Sequence, residues 1–143
     1  MLLLHFGVPH GPAIYNLTKA SLSAGKDATY LGNIALVDRT LGEIRQALEQ
    51  AGTWDSTTIL LTSDHPLRVG LWPTFYGGGL PAHVQQSNRV PFLLKMAGEK
   101  QGVEYPRAMQ TVVTKDLLLD VLNRKITTAE QVAAWLDTHP PRQ

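Results

Sequence analysis

The stretch Thr57 to His65, TTILLTSDH, limits what this chain can fold into more than any other. Its run Thr58-Ile59-Leu60-Leu61-Thr62 is β-branched and apolar, the pattern of a buried strand, and just beyond it stand a carboxylate and an imidazole, Asp64 and His65. In an open α/β sheet, ligands bind beyond the carboxyl ends of the strands, so the pair stands where chemistry is usually done. An oxygen and a nitrogen donor are of the kinds that zinc, manganese and similar divalent ions accept. Two donors do not complete a site. Taken alone, the pair reads more plainly as a turn that caps the next element.

The rest of the chain supplies the context. Met1 to Phe6, with Leu2-Leu3-Leu4, reads as a short buried strand ended by Gly7 and Pro9. Gly7 to Ala28 reads as a loop with a helical turn near Leu17 to Leu22. From Thr29 to Ala51, Leu31, Ile34, Val37, Leu41, Ile44 and Leu48 recur at three and four, one face of an amphipathic helix that Gly52 closes. Opposite lie Asp38, Arg39, Glu43, Arg45 and Glu49, a mixed solvated face. Strand, helix and strand form one unit, with a right-handed crossover if the strands are parallel neighbours. That arrangement brings His10 and Asp64 to the same sheet edge.

After His65 an irregular region runs to Asn88 through Pro66, Pro73, Gly77-Gly78-Gly79 and Pro81, a loop long enough to be a lid or a binding rim. Arg89 to Met96 is a third strand, with Pro91 at its start or on an edge. Two helices finish the chain. The first is capped by Thr114 and buries Leu117, Leu118, Val121 and Leu122. The second opens on Thr127-Thr128-Ala129-Glu130, a capping-box pattern, and carries Val132, Trp135 and Leu136 on one side.

At 143 residues the chain fits a single α/β domain, or a piece of a larger one. A net charge of +1 without a basic run gives no footprint for nucleic acid. With no cysteine there is no disulfide framework, no Cys-based zinc site and no thiol nucleophile. MLLLHF lacks a basic n-region and is too short to span a membrane, so any export address is expected outside this sequence.

Among the histidines, His10 is the best site candidate, because Gly11 and Pro12 hold the backbone tightly just after it and expose the imidazole. His5 reads as a satisfied core residue. His83, in the long loop, is either a group that bends back over the site or an ordinary surface histidine. His139, before two prolines, reads as a surface residue.

The ordered set LHFGVPHGPAIY, YLGNIALVDRTLGEIRQALEQAGTWDSTTILLTSDH, RVPFLLKMAG and TVVTKDLLLDVL resembles the C-terminal half of the sulfatase branch of the alkaline phosphatase superfamily, from about Leu3 to Val121. The resemblance implies a partial alkaline-phosphatase-like α/β sheet with flanking helices, truncated at its N-terminus. It implies a metal-dependent hydrolase or transferase of sulfate or phosphate esters. Carried over, Asp64 and His65 match the family's metal ligands from this half, and His10 the histidine at the transferred group or its leaving oxygen. His83 is similar to a substrate-side histidine of phosphoethanolamine-transferase relatives. The cofactor implied is a divalent ion, zinc, manganese or calcium. The full protein is then exported or membrane-anchored.

The departures matter equally. Pro66 stands where the family usually has glycine, and no lysine follows until Lys95, which leaves Arg68 or His83 for a substrate-side role. The nucleophile, a formylglycine precursor or a threonine, belongs to the N-terminal half, so that half is the expected partner and this chain alone is expected to be inactive. The alternatives are a catalytically inactive structural or interaction module of the same ancestry, a fragment of a phosphoethanolamine-transferase-like enzyme, or an unrelated α/β binding domain.

Overall fold

The computed structural model describes residues 1–72 and 87–140, arranged as two compact units. Unit 1 comprises Met1–Gln50 and Asp64–Val90; unit 2 comprises Ala51–Ser63 and Pro91–Gln143. The architecture is mixed α/β, with two small antiparallel sheets and three α-helices among the described residues, consistent with a partial alkaline-phosphatase-like fold.

In unit 1, β1 (Tyr15–Asn16) pairs antiparallel with β2 (Ser21–Leu22), Tyr15 opposite Leu22 and Asn16 opposite Ser21. This hairpin replaces the helical turn expected near Leu17 to Leu22. The turn is local chemistry: the Asn16 side chain accepts the Lys19 backbone N–H at 2.7 Å, and Ala20 takes a left-handed φ of 49°. Helix α1 (Tyr30–Gln50) follows, within one residue of its expected bounds. Thr29 caps it, its Oγ1 accepting the Gly32 N–H at 3.0 Å, and Gly52 at φ 67° ends it as a C′ glycine does. Arg39–Glu43 and Arg45–Glu49 form i,i+4 pairs on its solvated face.

The first expected strand does not form. Met1–Phe6 is irregular, with Leu2 and Leu3 four-fifths or more exposed and His5 exposed rather than in a core. An apolar run becomes a strand only where a neighbour takes up its backbone hydrogen bonds, and among the described residues no strand pairs with it. The parallel strand–helix–strand unit is therefore not seen in that form.

In unit 2, β3 (Ile59–Thr62) pairs antiparallel with β4 (Phe92–Lys95) in the register Ile59↔Lys95 to Thr62↔Phe92. Both strands fall inside their expected segments, and Pro91 stands just before β4. β3 is half-buried rather than buried, because its only partner among the described residues is β4. Lys95 leaves the sheet sideways, Nζ donating to the Trp54 and Thr57 carbonyls at 2.8 and 2.9 Å and lying over the Trp54 ring. That lysine is used within its own unit.

Helices α2 (Thr114–Leu122) and α3 (Ala129–Asp137) close unit 2 over a core of Met96, Leu117, Ile126, Val132 and Leu136. Thr114 is not a cap. A 3-10 turn over Thr111–Val113 runs straight into α2, so Thr114 already has helical φ and ψ, and its Oγ1 is buried with no hydrogen-bond partner. The capping box of α3 is real but sits one residue later than the sequence pattern reads, as Thr128 with Gln131. Asp120 joins the two helices by accepting from Lys125 Nζ at 2.9 Å and Trp135 Nε1 at 3.0 Å, which holds its carboxyl below the usual carboxylate range. His139 is half-buried rather than on the surface, stacked on Trp135 at 3.7 Å. A flat apolar ring and a helix-end carbonyl acceptor make a better place for an imidazole than water alone.

Candidate functional site

The loop that carries His10 is held from the first turn of α1. Pro9 and Pro12 have no N–H, so this loop cannot close on itself through backbone bonds at those positions. Asn33, fully buried, supplies what is missing: its Oδ1 accepts the Ile14 N–H at 2.9 Å. Its Nδ2 faces the carbonyls of His10 at 3.2 Å and of Pro9 and Pro12 at 3.5 Å. Gly32 lets the helix come this close. A Cβ there would lie 2.0 Å from the Tyr15 carbonyl oxygen, a backbone atom of β1 that cannot yield cheaply. We expect Gly32→Ala to destabilise unit 1 by about 1–3 kcal/mol through this overlap. Thermal unfolding of the protein carrying the change reads it, and an unaltered midpoint rules out the close approach.

The second segment follows β3 along the chain. Asp64 and His65 occupy a bend, Asp64 exposed and His65 half-buried. Beyond them Arg68 precedes a 3-10 turn over Val69–Leu71, its carbonyl accepting the Leu71 N–H, and Trp72 packs edge-on against Tyr30 at 5.4 Å, tying this segment to the start of α1. Burial there raises the Tyr30 phenol above its ordinary range.

Within unit 1 the two segments meet at their histidines. The rings of His10 and His65 lie 6.3 Å apart, edge to face, although 55 positions separate them in sequence. Each Nδ1 sits 2.7 Å from a neighbouring carbonyl, Gly11 for His10 and Pro66 for His65. A carbonyl only accepts, so Nδ1 is the donor in both contacts, and in the neutral form of each ring the lone pair is then on Nε2, the tautomer of a metal ligand or a proton acceptor. The Asp64 carboxylate has no hydrogen bond or ion pair among the described residues. Beside His10 a cavity of about 430 Å³ is walled by Val8, Pro12, Ile14 and Leu36.

Of the residues singled out from sequence, His10 and His65 come together and Asp64 stands next to His65. Arg68 is exposed, and no hydrogen bond or ion pair joins its side chain to either imidazole. His83 and the glycine run lie outside the described residues. Asn33 is the residue that sequence reasoning passed over. Its signal was its spacing, four before Val37, which places an amide on the apolar side of α1.

Among the described residues no group of three or more His, Cys, Asp or Glu side chains could hold an ion.

Comparison with known proteins defines the class. The sulfatase profile matches residues 1–126, and the chain belongs to the sulfatase family. Members of this family act on sulfate esters and generally use a divalent metal ion. Over 74 residues the chain is 35% identical to the multifunctional alkaline phosphatase superfamily protein PehA of Trinickia caryophylli, a match covering 52% of this chain and 14% of that relative. The chain thus corresponds to a small part of that protein's length. No solved structure matches. Among the described residues no helix is long and apolar enough to cross a membrane.

Proposed function

We propose that this chain is the C-terminal portion of a metal-dependent hydrolase or transferase of sulfate or phosphate esters, and that it contributes one side of the active site. The observation that carries the reading is the meeting of His10 and His65, each with Nδ1 turned to a neighbouring carbonyl. In this reading Asp64 and His65 hold a divalent ion, zinc, manganese or calcium, together with carboxylates from the N-terminal half. The ion, when bound, polarises the sulfuryl or phosphoryl oxygens. His10 stands at the substrate, where its imidazole exchanges a proton with the leaving oxygen. Arg68 and His83 remain candidates for charge neutralisation at the substrate. The nucleophile comes from the N-terminal half, and by resemblance the complete protein works outside the cytoplasm.

Pro66 in place of the family's usual glycine, and a next lysine only at Lys95, favour one rival, a non-catalytic module of the same ancestry. The test compares the purified 143-residue chain with the complete protein on aryl sulfate and aryl phosphate. The chain alone is expected to be inactive, and His10→Ala in the complete protein is expected to lower kcat by about 10²-fold, the scale of a lost proton-transfer group. Turnover by the isolated chain, or a His10→Ala enzyme of full activity, refutes the assignment. A complete protein that neither binds metal nor turns over identifies the module.

A further inference from the structure

We propose that Asn33 is a positioning residue for His10, acting through the loop rather than on the substrate. The inference rests on the reading that His10 works at the substrate, and goes beyond it by naming what aims the imidazole.

The argument is one of supply. Between Pro9 and Ile14 the chain has carbonyls that need donors and two prolines that cannot provide them. One buried carboxamide answers both sides of this loop, accepting from Ile14 N–H and facing the carbonyls of Pro9, His10 and Pro12. The shortest of the Nδ2 contacts, 3.2 Å, is to the carbonyl of His10 itself. The His10 ring is in turn oriented by the Gly11 carbonyl, the next atom group in the same loop. Ring, loop and amide are therefore connected in series, and the amide is fixed on a 21-residue helix whose start is seated against β1 at Gly32. Loss of the amide removes the acceptor of the Ile14 N–H and a donor that faces the carbonyls of Pro9, His10 and Pro12, which loosens the loop that carries His10.

The experiment is a double-mutant cycle in the complete protein, with kcat, KM and bound metal measured for wild type, Asn33→Ala, His10→Ala and the double variant. A displacement on the order of 1 Å costs up to about 10²-fold in rate, so Asn33→Ala is expected to lower kcat by about 10-fold to 10²-fold, with KM and metal content little changed. In the His10→Ala background the same change is expected to cost nothing further. Equal losses in both backgrounds would mean that Asn33 is merely structural, and no loss in either overturns the proposal. If His10→Ala alone leaves kcat untouched, the reading of His10 fails first, and the cycle shows it separately. Asn33→Ser, shorter but still able to donate, keeps the test open if Asn33→Ala does not fold: partial recovery of kcat is expected, and a rate unresponsive to it counts against positioning.

Discussion

Truncating Leu117 to alanine lowers the stability of unit 2 by about 2–5 kcal/mol, the cost of a fully buried leucine whose cavity cannot collapse. Leu117 has no exposed surface and sits among Met96, Ile126, Val132 and Leu136, which come from the end of β4, the α2–α3 connection and α3. Those neighbours come from three separate segments of the unit, so the hole cannot be closed by shifting one of them. Leu119, two positions along the same helix, is 45% exposed, and its truncation is expected to cost no more than about 0.5 kcal/mol. The measurement is the urea or thermal midpoint of the two variants side by side. Similar losses at both positions would mean that this helix does not present Leu117 inward.

The elements that the sequence made legible are those whose evidence is periodic. α1 was readable because six apolar residues keep helical spacing over five turns, and β3, β4, α2 and α3 because each has a run or a stripe bounded by a turn residue. What misled is what depends on a partner. Leu2-Leu3-Leu4 has the composition of a strand, yet a strand exists only with a neighbour, and composition does not carry that information. The same limit shows in α1 itself: Leu31 is 69% exposed, so the stripe predicts a face that seeks cover without saying what covers it. The hairpin of β1 and β2 was hidden because its decisive event is one Asn16 side-chain bond, which no two-residue strand announces. At the site, Asp64, His65 and His10 were legible as chemical types at the ends of elements. Asn33 was not, because it touches the site only through three carbonyls.

Asp64→Ala in the complete protein carries the largest expected effect on function: loss of the bound divalent ion, and a fall in turnover of about 10³-fold or more, roughly 4 kcal/mol of transition-state stabilisation. Asp64 is exposed in a bend, and its carboxylate has no hydrogen-bond or ion-pair partner among the described residues, so removing it breaks no contact seen in the fold. A purely structural aspartate in that position is worth under about 0.5 kcal/mol, and its loss leaves turnover intact. The two readings thus differ by orders of magnitude in rate and agree on stability, which is what makes the variant informative. Metal content measured on the folded protein separates them further. Retention of the ion with lost turnover would move Asp64 from ligand to substrate contact, and retention of both would leave His65 and His10 facing each other across a site that Asp64 does not serve. Loss of both, with an unaltered unfolding midpoint in the metal-free proteins, is the result expected from the proposed ligand role of Asp64.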